Sequence, residues 1–234
     1  MTEVELFAVD RLDLAFEPQP WDFALARRAE IVANFEGMQR ENPALWNGRV
    51  LLMHRYDMRD GVLRGAYLET DYASFSAWIR CGRPEAGVHD CFGAAAIVFA
   101  DGAVLLGEMG PHTFNAGKIY FPAGTPGPED IVDGKVDLEF SLRRELTEET
   151  GLDAAEFAAE PGWTIVRDGT LIVAIKVLRA PLDAETLRAR IVAWLARQRQ
   201  PELVDIRVVR GRSDFDPKMP RFVRAFLAHR FAER

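Results

Sequence analysis

The stretch Arg144-Glu145-Leu146-Thr147-Glu148-Glu149-Thr150-Gly151-Leu152 (144–152) ends the segment with the clearest helical pattern in the chain. Leucines at 138, 142 and 146 recur every four residues, so they would form one apolar face of a helix. Gly151 comes five residues after the last of these leucines, and glycine is common where a helix ends. The spacing therefore predicts a helix over residues 138–150.

The same helix would carry three carboxylates on one face. Glu145, Glu148 and Glu149 are spaced i, i+3 and i+4, and like charges at this spacing repel one another. Arg144 can pair with Glu148, but one arginine cannot neutralise three carboxylates. The remaining negative charge suits a hard divalent cation such as Mg²⁺, which prefers oxygen ligands and accepts substrate phosphates as well. The alternative is a glutamate-rich helix face that is simply solvated.

The order of residues around these glutamates favours the cation site. The run 144–152 resembles the core of the Nudix box, RE-U-x-EE-x-G-U, in which U is an aliphatic residue, and it matches every specified position. Upstream, the run YFPAG (120–124) resembles the FPGG strand end that precedes the box in this family. We therefore expect a Nudix-type hydrolase, because the two runs together are more specific than a single short motif.

The segment that leads into the box departs from the family pattern. Nineteen residues (125–143) separate Gly124 from Arg144, where the pattern has thirteen. We interpret the difference as a six-residue insertion in the loop 125–137. The leading glutamate of the box is displaced, and the acidic residues of this loop are the candidates to replace it: Glu129, Asp130, Asp133 and Asp137. The position of Asp137 is more typical of a helix N-cap.

The resemblance also implies roles for individual residues. Glu148 and Glu149 match the main metal ligands, and Glu145 matches the carboxylate that binds metal or takes the proton. Arg144 matches the arginine that orients these glutamates. The backbone carbonyl of Gly124, or of the alanine before it, would complete the set of metal ligands.

The reaction implied by the resemblance is hydrolysis of a phosphoanhydride in a nucleoside diphosphate linked to another moiety, with Mg²⁺ or Mn²⁺ as cofactor. Bound metal would neutralise phosphate charge and activate water, which attacks phosphorus in line with the leaving group. Members of the family often use a further carboxylate from a downstream loop. Glu202 is the candidate here, although an exposed loop glutamate is the simpler interpretation. Two alternatives to this enzyme stay open: a catalytically weak Nudix-fold protein that binds or senses a nucleotide, and a structural protein with an accidental acidic helix.

The first ninety residues bear on the substrate. The runs NPALWNG (42–48) and TDYASF (70–75) loosely resemble a pattern in Nudix members that hydrolyse UDP-sugars and carry a leading subdomain. A nucleotide sugar is therefore one candidate, but nothing in the chain separates it from ADP-ribose, a dinucleoside polyphosphate, NADH or coenzyme A. The candidate substrate-binding residues are Arg49, Arg55 and Lys118 for phosphate oxygens and Tyr72 for a base or sugar face. The alternative for the aromatic residues is packing within the core or across a hairpin.

Helix and strand patterns are mixed along the chain without strict alternation. Helix candidates lie at 21–40, 71–79, 138–150, 183–199 and 220–231. Strand candidates lie at 49–56, 62–70, 93–100, 103–109, 117–124, 170–178 and 203–209. This order favours the α/β class of the α+β type, as a Nudix-like α/β/α sandwich with a mixed sheet, over a parallel doubly wound fold. We expect residues 1–90 to form a small N-terminal α/β extension packed on a hydrolase domain at 91–234.

Composition narrows the partners and the setting. The net charge of −7 disfavours nucleic acid and anionic membranes as partners, and it leaves open a small phosphorylated substrate bound through a metal. Cys81 and Cys91 form no metal motif, and we expect two free thiols. The N-terminal residues show no secretion signal, so a cytoplasmic protein is expected. The aromatic residues at 222, 226 and 231 would pack internally, with a homodimer as the open alternative.

Overall fold

The computed structural model describes residues 3–43 and 45–232. They form two compact units, and each unit is built from segments that are separated along the chain. The larger unit contains the residues up to Asp10, Phe92–Gly124 and the residues from Leu138 onward, and the smaller unit contains Arg11–Cys91 and Thr125–Asp137. The sequence pattern suggested one boundary near residue 90. It did not indicate that the residues up to Asp10 belong to the larger unit, or that Thr125–Asp137 belongs to the smaller one.

The helices and strands are numbered in chain order. The helices are α1 (Asp22–Ala26), α2 (Arg28–Glu41), α3 (Tyr72–Arg80), α4 (Leu138–Thr150), α5 (Ala184–Leu195) and α6 (Arg221–Ala232). The strands are β1 (Glu5–Val9), β2 (Arg11–Phe16), β3 (Arg49–Arg59), β4 (Val62–Asp71), β5 (Asp90–Val98), β6 (Val104–Met109), β7 (Ile119–Tyr120), β8 (Ile131–Val132), β9 (Lys135–Val136), β10 (Ala158–Ala159), β11 (Trp163–Asp168), β12 (Leu171–Arg179) and β13 (Leu203–Val209).

The larger unit is built on one sheet with the strand order β1-β11-β12-β5-β6-β13, to which β10 and β7 add short pairings with β12 and β6. Strand β12 is a nearly continuous apolar run, and all of its residues except Arg179 are buried. Helix α5 packs against β13 and α6 packs against β11, while α4 packs against α5. The leucines of α4 lie in the core of this unit, as their spacing predicted.

The smaller unit has its own sheet, with the strand order β3-β4-β2-β9-β8. Strands β2 and β4 run parallel, and the other pairs in this sheet are antiparallel, so the sheet is mixed. The predicted Asp-Gly turn joins β3 and β4: Asp60 and Gly61 both have positive φ, as a tight hairpin turn requires. Helices α2 and α3 pack against each other through a buried apolar cluster of Ile31, Phe35 and Ala73.

The segment 125–137, which the sequence indicated to be a loop, instead forms a short hairpin of β8 and β9. Strand β9 adds to the edge of β2, where Ala15 pairs with Lys135. Asp133 and Gly134 have positive φ and form the turn. The loop prediction was therefore wrong in its local structure, because a pairing this distant in the chain leaves no periodic signal in two-residue strands.

The mixed α/β class is confirmed, with two sheets and six helices in the described residues. Helix α4 and strand β13 have the predicted bounds, 138–150 and 203–209. The helix predicted at 21–40 is two helices with a break at Arg27. The strand predicted at 117–124 is only β7, and the sequence pattern did not indicate β1, β2 or β11.

Candidate active site

Helix α4 ends where a bulky side chain closes over its last turn. Gly151 has a φ of +69°, and its N–H donates to the carbonyl of Thr147 at 2.8 Å. The indole ring of Trp194, on α5, occupies the place that a side chain on residue 151 would take. The hydroxyl of Thr147 also donates to the carbonyl of Leu152 at 3.0 Å. Glycine is therefore required at 151 for both its conformation and its lack of a Cβ.

Arg144 bridges two of the glutamates on this helix. Its Nη1 lies 2.9 Å from Oε1 of Glu145 and 3.2 Å from Oε2 of Glu148. The side chain of Glu145 is 15% exposed and that of Glu148 is 59% exposed, so the arginine joins an inner carboxylate to an outer one. This geometry agrees with an orienting role for the arginine, and the role itself stays a prediction.

Glu149 is the buried member of the cluster. The residue is 4% exposed, and its Oε2 has no hydrogen-bond partner among the described residues. The backbone N–H of Ala123 donates to its carboxylate. Burial raises the pKa of Glu149 well above its usual range, and the negative charges of Glu145 and Glu202 raise it further. The helix face thus carries one carboxylate for which the protein supplies too little compensation.

The YFPAG run lies beside these carboxylates. Ala123 contacts Glu149 through its N–H, and the carboxylate of Glu145 occupies the place that a side chain on Gly124 would take. The structure therefore brings Gly124 to the glutamates, as the sequence predicted. The binding of a metal by the carbonyl of Gly124 stays a prediction.

Glu202 approaches the cluster from another element. It lies one residue before β13, and its carbonyl accepts a hydrogen bond from the N–H of Gly110 at 2.6 Å. Its side chain is exposed, yet its charge raises the pKa values of both Glu149 and Tyr120. A carboxylate from a downstream loop therefore stands near the box glutamates, and its part in catalysis stays a prediction.

Tyr120 is a member of this site that the sequence gave no reason to single out. It lies on β7, is 9% exposed, and its hydroxyl accepts a hydrogen bond from Nδ2 of Asn115 at 3.3 Å. Burial is the largest cause that raises the pKa of Tyr120. The negative charges of Glu149, Glu202 and Glu145 raise it further. Only the folded arrangement reveals it, because tyrosine in a strand is ordinary and the motif around it specifies other positions.

The chemistry of this donor set fits a divalent cation. Four carboxylates supply oxygen ligands, and the unpartnered Oε2 of Glu149 is the kind of buried acceptor that a hard cation satisfies. Across residues 3–43 and 45–232, no three His, Cys, Asp or Glu side chains are placed to hold a metal as they stand. Glu145 and Glu148 both pair with Arg144 in this arrangement. The metal ligands proposed from the sequence thus stay predictions.

The other predicted substrate residues are divided between the two units. In the smaller unit, Arg49 pairs with Glu69 at 2.5 Å and Arg55 pairs with Glu17. Tyr72, in the same unit, packs edge-on against Phe35, with ring centroids 6.3 Å apart. Lys118 is exposed in the larger unit, just before β7. Their contact with a substrate stays a prediction; in the run 42–48, Ala44 lies outside the described residues.

The acidic residues of the segment 125–137 belong to the smaller unit. Asp130 is fully buried, and its carboxylate accepts the N–H of Gly127 at 3.0 Å, so it stabilises its own turn. Asp133 lies in the β8–β9 turn, and Asp137 directly precedes the first residue of α4, where an N-cap would stand. The replacement for the leading box glutamate, Glu129 included, stays undecided. The two cysteines are free thiols, with Cys81 exposed and Cys91 buried.

None of the helices within the described residues combines the length and the hydropathy that a membrane span requires. No protein-family model matches the chain, and no curated protein sequence matches it.

Comparison with solved structures finds several chains of similar fold. The MutT protein from Methanosarcina mazei Go1 is 19% identical, with a TM-score of 0.41, over 62% of this chain and 94% of that protein. The Nudix domain of NrtR from Shewanella oneidensis, solved with ADP ribose, is 19% identical, with a TM-score of 0.41, over 68% and 97%. A Nudix hydrolase from Nitrosomonas europaea is 19% identical, with a TM-score of 0.39, over 62% and 89%. Likenesses this low do not extend to activity.

Proposed function

We propose that this chain is a divalent-metal-dependent hydrolase of the Nudix type, acting on a phosphoanhydride in a nucleoside diphosphate linked to another moiety. The observation that carries the proposal is Glu149, a buried carboxylate with an unpartnered oxygen, on the helix that bears the box core. Burying a charge without a partner is costly, and the negative charges of Glu145 and Glu202 add to the cost. A divalent cation would offset both effects, so the arrangement favours metal binding over a structural role.

The roles of the cluster follow from exposure and position. Glu149 is held on a buried helix face and would be a fixed ligand, whereas Glu148 is more than half exposed and can reach a bound substrate. Arg144 keeps Glu145 and Glu148 in one orientation. Glu202 comes from a different element and would accept the proton of the attacking water. A divalent cation, when bound, supplies charge neutralisation at the phosphate oxygens.

The finer choice of substrate is also a proposal. The runs at 42–48 and 70–75 favour a nucleotide sugar, through their resemblance to UDP-sugar hydrolysing members of the family. Arg49, Arg55, Lys118 and Tyr72 would be the residues that select it. Arg49 and Arg55 are each paired with a glutamate, so each would have to exchange this carboxylate for a phosphate of the substrate.

The test is a screen of nucleoside diphosphate derivatives with Mg²⁺, in which the products are identified by mass. We expect one or more substrates to release a nucleoside monophosphate, and Glu149→Gln to lower turnover by about 100-fold or more, since it removes a direct ligand. Glu139→Gln is the matched control, because Glu139 lies on the same helix and pairs with Arg143 at 2.7 Å. An inactive wild type on a broad panel, or full activity in Glu149→Gln, would refute the proposal.

A second candidate is a nucleotide sensor with the same fold. Two observations favour it: Arg144 pairs with both Glu145 and Glu148, and the segment 125–137 adds two short strands to the sheet of the smaller unit. Calorimetry with ADP-ribose and a UDP-sugar, followed by the mass of the recovered ligand, separates the two candidates. Tight binding with the ligand recovered intact after long incubation with Mg²⁺ supports the sensor, and cleavage supports the enzyme.

A further inference from the structure

Tyr120 lies where the elements of the candidate site meet. It pairs across the sheet with Gly107 of β6, which runs between β7 and β13. A Cβ on Gly107 would come within 2.7 Å of Leu203, the residue after Glu202. Along the chain, Tyr120 stands three residues before Ala123, whose N–H donates to Glu149. The tyrosine is thereby placed between the helix glutamates and the loop glutamate.

The hydrogen bond from Asn115 shows which role the Tyr120 hydroxyl has, as an acceptor or as a donor. Nδ2 of Asn115 donates to the phenol oxygen at 3.3 Å, so this oxygen acts as an acceptor there. A hydroxyl that accepts one bond still has a proton to donate. Among the residues that the structure describes, Asn115 is the hydrogen-bond partner of this hydroxyl. The proton of Tyr120 is therefore available for a further acceptor.

The charges nearest to Tyr120 are the carboxylates of Glu149, Glu202 and Glu145. Ionised carboxylates only accept hydrogen bonds, and phosphate oxygens do the same, so the glutamates and a diphosphate cannot bond directly. Arg144 is engaged with Glu145 and Glu148. The high pKa of Tyr120, which burial and the neighbouring carboxylates cause, keeps the phenol protonated. Tyr120 is thus an uncharged donor inside an acidic cluster.

We propose that the Tyr120 hydroxyl donates a hydrogen bond to a non-bridging oxygen of the substrate diphosphate, and that Asn115 orients it for this contact. The inference rests on the proposed function for the identity of the ligand as a diphosphate. Its physical basis is that a cation alone neutralises the diphosphate charge without fixing its rotation, whereas a directed donor fixes one oxygen. Tyr120 is then a substrate-contacting residue and Asn115 a positioning residue.

The experiment measures binding of methylenediphosphonate, which is not hydrolysed at its bridge, in the presence of Mg²⁺ by calorimetry. Mg²⁺ alone is titrated in parallel. We expect Tyr120→Phe to weaken diphosphonate binding about tenfold, the usual effect of one hydrogen bond to a charged group, with Mg²⁺ affinity unchanged. Asn115→Ala should weaken it less, by about threefold, because the phenol remains but is no longer oriented. Tyr56→Phe removes a hydroxyl from the smaller unit and is the control.

Two results with the Tyr120→Phe variant would overturn the inference. One is unchanged diphosphonate affinity in Tyr120→Phe at an unchanged melting temperature, and the other is loss of Mg²⁺ affinity by the same factor, which would mean that the hydroxyl holds Glu149 instead. Absence of diphosphonate binding by the wild type overturns it as well. The two proposals fail separately: a wild type that binds diphosphonate through Tyr120 but cleaves no nucleotide contradicts only the proposed function. An active wild type with a fully active Tyr120→Phe contradicts only the role of Tyr120.

Discussion

The carboxylate of Glu145 lies against the backbone of Gly124, in the place that a side chain on residue 124 would occupy. The two residues are close only in the fold, since 125–143 separate them in sequence. The contact explains why this position has glycine although its φ does not demand one. It also links the end of the YFPAG run to the first glutamate of the box.

Gly124→Ala should therefore push Glu145 out of its position and break its contact with Arg144. We expect metal affinity and turnover to fall by about tenfold, because a displaced Glu145 would no longer be oriented together with the other glutamates. Calorimetry with Mn²⁺ gives the affinity. Gly37→Ala is the control: Gly37 lies in α2, and its added Cβ would meet the end of the flexible Arg40 side chain at 3.6 Å, so this change should be neutral or stabilising by about 0.5–1 kcal/mol. Equal metal affinity in both variants would contradict the prediction.

Glu149→Gln should raise the stability of the metal-free protein at neutral pH. The folded state raises the pKa of this carboxyl above the usual 4.5, so the folded protein holds a proton that the unfolded chain releases. The resulting cost is absent below about pH 4.5 and grows as pH rises toward the folded-state pKa. Urea unfolding of both proteins from pH 4 to pH 8 measures it. A stability difference that does not change with pH would contradict this assignment.

Excess Mg²⁺ should reverse this order of stability. A cation that binds the folded state stabilises it by mass action, and the gain should be larger in wild type than in Glu149→Gln. The measurement is the shift in melting temperature with Mg²⁺ concentration for the two proteins. Equal shifts would show that Glu149 is not a ligand.

Asp90 provides a separate pH-dependent contribution in the smaller unit. It is 2% exposed and pairs with Arg83 at 2.8 Å, but its Oδ1 and the Nε of Arg83 have no partners within the described residues. Burial raises the pKa of Asp90 from 3.8 to about 6, against the opposing effect of Arg83. Ionised Asp90 thus destabilises the fold by on the order of 3 kcal/mol, a cost that appears between pH 3.8 and 6 and is complete above pH 6.

Asp90→Asn should accordingly match wild-type stability near pH 4 and exceed it at pH 7. Arg83→Met should do the opposite at pH 7, since it leaves a buried charge unpaired, at a cost of about 3–5 kcal/mol. Both are measured by urea unfolding. A more stable Arg83→Met protein at pH 7 would show that the ion pair contributes nothing to the fold.

Gly151→Ala should be among the more damaging changes that leave the glutamates intact. Residue 151 has a φ of +69°, and the Trp194 ring occupies the position of its missing side chain. Gly169→Ala is a matched control, because φ there is +64° and no atom of the described part of the chain lies within 4 Å of the added Cβ. We expect the control to cost about 1 kcal/mol and Gly151→Ala at least about 2 kcal/mol more, from displacement of the indole. Equal costs would remove Trp194 from this explanation.

Sequence and structure agree best where a pattern is local. The bounds of α4 follow from three leucines and Gly151, and the β3–β4 turn follows from Asp60-Gly61. The box glutamates share a helix face because helical spacing alone puts them there. Such features depend on neighbouring residues, so one sequence is enough to predict them.

Features that depend on distant pairing did not emerge from the sequence. Strand β1 exists because it pairs with β11, more than 150 residues away, and β9 exists because it pairs with β2. The part that Tyr120 plays in the site depends on where β7 lies, since its own motif specifies the residues after it. Glu202 was the candidate for a downstream carboxylate, against the simpler interpretation of an exposed loop glutamate, and its influence on Glu149 depends on the fold.

Some strands pair with partners that come much later in the chain. This sets an order for folding during synthesis on the ribosome. The smaller unit lacks β9 until residue 136 has emerged, so β2 must wait with one edge unpaired after β4 is in place. Strand β1 waits longer still, until β11 emerges at residues 163–168. Chains that stall before these points would expose unpaired strand edges, which are prone to aggregation. The demand on chaperones should therefore be greatest after β2 and before residue 136 have emerged from the ribosome.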